Sequence, residues 1–184
     1  MKIYTIVGGV NGVGKSSFTG VLKSRTTDLG VIIDIDKLTA QSGGDPLAGG
    51  RRAVRIMEDC IRGGASFTQE TTLSGHQVRK TVRRVGELGY HVRLYYIGLD
   101  TAEESEKRIA NRVALGGHDI PGAMVRKRFQ KRWDGLRAVL PYCDEAVFYD
   151  NRNGFAEVAV YRNGELILEG EYRSEWIKEL SRHL

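Results

Sequence analysis

The chain has 184 residues, 41% of them hydrophobic and 28% charged, which is the composition of one soluble globular domain spanning 1–184. No stretch approaches ~20 apolar residues, the sequence enters a strand-like run straight after Met1-Lys2, and Cys60 and Cys143 are isolated; no membrane helix, leader peptide, disulfide framework or structural zinc is expected, and a cytoplasmic location is. The net charge of +5 comes from Lys and Arg spread along helix-like segments rather than from one tract, which favours an enzyme handling several phosphates over a nucleic-acid binder.

The first predicted element is the strand Ile3-Tyr4-Thr5-Ile6-Val7, followed by Gly9-Val10-Asn11-Gly12-Val13-Gly14-Lys15-Ser16 and a helix from Ser16-Ser17-Phe18 onward. This is G-x-x-x-x-G-K-[ST] in its strand–loop–helix setting, a phosphate-binding loop. Its glycines let backbone N–H groups curl around phosphate oxygens at a helix N-terminus, Lys15 reaches the β- and γ-phosphates, and the Ser16 hydroxyl is a ligand for Mg²⁺.

Next come a short strand at Gly30–Asp34, a glycine-rich loop containing Gly43, Gly44, Gly49 and Gly50, and a helix from about Arg51. Ala53, Ile56, Met57, Cys60 and Ile61 recur on one face of that helix, which makes Met57 and Cys60 core residues. A strand at Ala65–Gln69 precedes a helix from His76 to Leu88, closed by Gly89; a strand at Tyr90–Leu99 precedes a helix from Ala102 to Ala114, broken by Gly116-Gly117. A basic helix after Pro121 and a strand at Ala146–Tyr149 complete a core of 1–151. The remainder, 152–184, is predicted as a hairpin turning at Arg162-Asn163-Gly164 and a short helix around Trp176 to Leu180. The alternation predicts an α/β fold with a central parallel five-stranded sheet flanked by helices, the hairpin and last helix being appended.

Three kinds of phosphate-loop protein compete. A regulatory GTPase needs an N/T-K-x-D motif, which is missing. Leu73-Ser74-Gly75-His76-Gln77 is one residue from the transporter-ATPase signature L-S-G-G-Q, but it follows the phosphate loop too closely to sit on that family's helical insert, and Asp100 is followed by Thr101 instead of glutamate.

The third kind is a small-molecule kinase. Gly8 through Ser16, Ile33-Asp34-Ile35-Asp36, Glu70-Thr71-Thr72-Leu73-Ser74-Gly75 and Gly89-Tyr90-His91-Val92 occur in order. Arg108 through Arg112, Gly116 through Pro121 and Tyr149-Asp150-Asn151 follow. Over residues 3–151 this series resembles the short form of the zeta-toxin family of phosphate-loop kinases. The resemblance implies strand order 2-3-1-4-5, transfer of the γ-phosphate of ATP (or GTP) with Mg²⁺, and a small-molecule acceptor hydroxyl on a nucleotide or nucleotide sugar. It also implies a possible antitoxin protein as partner. A kinase for another metabolite or antibiotic, and a nucleotide-binding regulatory protein without its own acceptor, remain the alternatives.

The cofactor site expected from the loop comprises Gly9, Asn11, Gly12, Val13, Gly14, Lys15, Ser16 and Ser17. By resemblance, Asp36 is the catalytic base for the acceptor hydroxyl, against a competing role as N-cap of a helix beginning at Lys37. Asp34 is a structural or metal-supporting carboxylate. Glu70 contacts the acceptor, with Thr71 as a further polar contact. Arg112 matches the first phosphate-binding arginine of the family's lid, joining Lys15 and Asp36 as catalytic. His118 stands where longer members carry a second arginine, and is expected beside the nucleotide. Arg126 and Arg128 read as a solvated basic face, with supply of that missing charge as the competing role, and Asp150-Asn151 as either a base contact or a turn.

Overall fold

The structure, a computed structural model, describes residues 1–171 and 174–184. Its seven-stranded sheet runs β2-β3-β1-β4-β5-β6-β7. The strands are β1 (Ile3–Gly8), β2 (Val31–Asp34), β3 (Phe67–Thr71), β4 (His91–Gly98), β5 (Glu145–Asp150), β6 (Ala156–Arg162) and β7 (Glu165–Leu168). The first five are mutually parallel, in the order expected. β1 lies in the middle, fully buried along its length, as a strand covered by helices on both faces must be.

The helices are α1 (Lys15–Arg25), α2 (Ile35–Gln41), α3 (Pro46–Gly63), α4 (His76–Glu87), α5 (Ala102–Ala114), α6 (Gly122–Gln130), α7 (Arg132–Val139) and α8 (Glu175–His183). α3 and α4 bury the faces expected of them: Ala53, Met57 and Cys60 from one, Val78, Val82 and Val85 from the other. No helix is long and apolar enough to cross a membrane among the described residues.

Three differences from the sequence expectations have physical causes. The hairpin is not an appendage, because β6 pairs antiparallel with β5 and extends the same sheet. Its turn does form at Asn163-Gly164, both in the left-handed region that a tight hairpin demands. The segment read as a glycine-rich loop is largely helix: α2 starts at Ile35, and α3 starts at Pro46, capped by Asp45 onto the Leu47 amide at 2.8 Å, so that Gly49 and Gly50 lie inside it. Proline at a first helical position outweighs the local cost of glycine, and Gly49 is required because a Cβ there would come within 2.7 Å of the Thr39 backbone.

α8 is fastened to the sheet by Trp176. Its side chain is fully buried against Gly98, its backbone N–H donates to Asp100 Oδ1 and its indole N–H to Asp150 Oδ2, both at 2.9 Å.

Candidate active site

The site grows from the link between β1 and α1. Gly12 and Gly14 have φ of 73° and 96°, in the region that favours glycine, and both are closely approached. A Cβ on Gly12 would stand 2.8 Å from the Ser105 carbonyl oxygen, and one on Gly14 2.6 Å from Asn151 Nδ2. The loop is braced from outside. The Ser105 hydroxyl donates to the Asn11 carbonyl, Asn151 Nδ2 to the Val13 carbonyl at 2.9 Å, and Arg128 to Asn11 Oδ1 at 3.1 Å. α1 has no acidic residue in its first turn and no side-chain cap, which leaves its N-terminal amides and dipole facing the loop.

Lys15 opens α1 and folds back so that Nζ donates to the carbonyls of Gly9 and Val10, both at 3.0 Å. Removal from water pushes its pKa down to about 8, against the pull of Asp36 and Glu70, while Arg128 and Arg112 add to the depression. Ser16 Oγ donates to Glu70 Oε2 at 2.6 Å. Glu70 is buried near the end of β3, and burial raises its pKa despite the hydrogen bonds from Ser16 and Thr19. A hydroxyl and a carboxylate side by side at a phosphate loop are hard oxygen donors of the kind Mg²⁺ takes, one or two from the protein with the rest from phosphate and water. Ser16 and Glu70 therefore fit that ion.

These groups open onto a cavity of about 630 Å³. One wall is the phosphate loop with Arg108 and Arg112 of α5 and Arg128 of α6; the opposite wall comes from α2, α3, the end of β3 and the start of α4. Asp36 lies in the first turn of α2, not at the strand end. The cap of that helix is Asp34, whose Oδ1 accepts from the Lys37 amide at 3.1 Å, so the capping role considered for Asp36 falls to its neighbour. Asp36 is left exposed on the cavity lining. Leu73, in the turn after β3, has φ of 59° and is buried, its backbone packed over Gly135 of α7. A buried leucine in that region is uncommon, and tertiary packing holds it.

Of the residues expected from the sequence, Asn11, Gly12, Gly14, Lys15, Ser16 and Ser17 line the cavity, as do Asp36, Glu70, Thr71 and Arg112. Three stand elsewhere. Val13 is buried in the core beneath the loop, and Gly9 packs against the Ile97 carbonyl. His118 is exposed and outside the lining; its carbonyl accepts from Arg112 at 2.5 Å.

Asp150 and Asn151 are braces: one binds Trp176, while the other spans the phosphate loop and gives its carbonyl to Arg108 at 2.7 Å. The sequence reading underrated Arg128. Arg126 is the solvated one, paired with Glu106, whereas Arg128 lines the cavity. The signal was available in the spacing, since Arg128 lies three residues after the buried Val125 and so flanks the inner face of α6. Gln69, buried and held at Oε1 by the Tyr4 hydroxyl at 2.5 Å, was also missed.

No protein-family model matches the chain. An uncharacterised protein of Haemophilus influenzae is 32% identical over 127 residues, covering 66% of this chain and 88% of that one. Among solved structures, one from the PezAT chromosomal toxin–antitoxin system of Streptococcus pneumoniae superposes with a TM-score of 0.66 at 18% identity, over 99% of this chain and 83% of that one. The AvrRxo1-ORF1:-ORF2 complex with ATP gives 0.71 at 15% identity, over 98% of this chain and 64% of the other. The chain belongs to one family with the Haemophilus influenzae protein, and it shares its fold with the PezAT and AvrRxo1 structures.

Proposed function

We propose that the protein is an ATP-dependent kinase that transfers the γ-phosphate to a hydroxyl of a small molecule. The observation that carries this reading is the shared cavity, in which a phosphate loop, three arginines and an exposed carboxylate face one another. A protein that only sensed nucleotide would need the loop but no carboxylate opposite it. The nucleotide donor is supported by the loop and by a fold neighbour crystallised with ATP.

In the proposed reaction the acceptor hydroxyl oxygen attacks the γ-phosphorus. The bond from that phosphorus to the β-bridging oxygen breaks, ADP leaves with the electron pair, and the hydroxyl proton passes to the Asp36 carboxylate. Lys15 leaves the Gly9 and Val10 carbonyls for the phosphates. Arg112 and Arg128 stabilise charge on the equatorial oxygens, and Arg108 holds the α5 side of the loop through Asn151. Ser16 and Glu70 would hold Mg²⁺, which would supply charge neutralisation at the phosphates. A toxin role with an antitoxin partner is supported by the neighbour from the PezAT system and rests on fold likeness.

The test is incubation with γ-labelled ATP, Mg²⁺ and a small-molecule extract. Label should appear in a new metabolite, and Lys15→Ala should reduce its formation by on the order of 10²–10⁵. A wild-type protein that releases only inorganic phosphate would refute the kinase reading.

A further inference from the structure

The charges lining the cavity are sharply divided. Its cations, Lys15, Arg108, Arg112 and Arg128, all belong to the donor wall: Lys15 lies in the phosphate loop, and Arg108 and Arg128 bond to residues next to or within that loop. The acceptor wall carries the carboxylates Asp34 and Asp36, with Glu70 where it meets the phosphate loop through Ser16, and no lysine or arginine. Lys37, Arg51, Arg52 and Arg55 are on the same two helices, α2 and α3, but they are exposed and outside the lining. What remains of that wall is apolar or neutral. Ala53, Val54, Met57 and Val78 form an apolar surface, and Gln69 and Gln77 are neutral amides. Because the Tyr4 hydroxyl occupies Gln69 Oε1, the group this residue has left to offer is its N–H₂, a donor for a neutral oxygen.

A phosphate group buried against such a wall would have no cation to pair with and two carboxylates to repel it, and each of these is costly away from water. The N-terminus of α4, whose cap Gly75 lacks a side-chain bond, adds about half a positive charge. That suits one hydroxyl or carbonyl oxygen but does not balance two carboxylates.

We infer that the acceptor is an unphosphorylated hydroxyl compound, neutral or amine-bearing, with an apolar face, and not a nucleotide or nucleotide sugar. This inference rests on the kinase reading above. Transfer converts its hydroxyl into a phosphate monoester, with the proton taken by Asp36 and ADP released.

The test divides the extract on an anion exchanger. Flow-through and retained fractions are each incubated with the full-length protein, γ-labelled ATP and Mg²⁺, and a portion of whole extract is treated first with alkaline phosphatase, which is then removed. Label is expected in a product from the flow-through, at least tenfold above that from the retained fraction, and phosphatase treatment should leave it or increase it. Label arising from the retained fraction and lost on phosphatase treatment would overturn the acceptor class while leaving the kinase intact. No labelled product from either fraction would overturn the kinase reading and this inference together.

Discussion

Lys15 is the residue whose ionisation matters most. Its pKa of about 8 in the free protein arises from burial, and triphosphate oxygens around Nζ favour the ammonium form and raise it. Binding therefore takes up a proton at pH values between about 8 and the higher bound value, and nucleotide affinity falls as pH rises through that window. Calorimetry at roughly pH 8.5 in buffers of different ionisation enthalpy should detect this uptake, and Lys15→Met should remove it. Binding without proton uptake would show that Lys15 is already fully charged. For folding, the sign runs the other way: the native chain gains stability as pH rises from about 8 toward the ordinary 10.5, because the unfolded chain still holds the proton the native one has released. The phosphate-loop residues were legible because each chemical role requires one residue type at one spacing. Arg128 and Gln69 were not, because their places depend on how α6 and β1 pack.

At the scale of elements, α8 and the α5–α6 connection do different work. Trp176 closes α8 onto Gly98, whose own Cβ would have to occupy the indole ring. Trp176→Ala removes the largest fully buried side chain and the donor to Asp150 Oδ2, and it should cost about 3–5 kcal/mol in chemical denaturation. A loss under about 1 kcal/mol would mean that α8 is only loosely attached. The sequence marked this helix and Trp176 as its packing anchor but not the anchor's partners, because those are set by tertiary approach.

The segment from Arg112 to Gly122 is held differently. Gly116 has φ of 84° and Gly117 packs on the Arg112 side chain, which grips the His118 carbonyl and has its Nε buried without a partner. A phosphate would give that Nε a partner, and closure of this segment would keep water from the reacting phosphoryl group. Hydrogen exchange over residues 112–122 should slow when ATP and acceptor are both bound. Arg112→Ala should lower kcat more than it weakens nucleotide binding, since the charge it meets is greatest in the transition state. Unchanged exchange together with a normal kcat would reduce the segment to a surface loop.

For the whole molecule, the parallel order 2-3-1-4-5 was expected through resemblance, and alternating periodicity found most of its elements. Edges moved where capping decides them, as at Asp34 and Asp45, and the hairpin joined the sheet because β5 would otherwise present an open edge. The charge has a more mixed origin than the sequence suggested. Lys15, Arg108, Arg112 and Arg128 serve the cavity, while His76, Arg79, Lys80, Arg83 and Arg84 line a separate open groove on α4, where Arg84 is paired with Glu58. Glu87 lines the same groove and Glu58 neutralises Arg84, so binding to duplex or single-stranded DNA at ~150 mM salt should be weak and fall steeply with added salt. Submicromolar, sequence-dependent binding measured by fluorescence anisotropy would displace the kinase reading from first place.

Phosphoryl transfer with Asp36 as proton acceptor is the central step. The measurement that tests it most directly sets nucleotide affinity beside the single-turnover rate of labelled-product formation, in the wild-type protein and in Asp36→Asn. The variant keeps the shape of the side chain and loses its basicity. The account predicts nucleotide affinity within about threefold of wild type and transfer slower by on the order of 10²-fold or more. Transfer at the wild-type rate, or nucleotide affinity collapsing in step with it, would contradict the account.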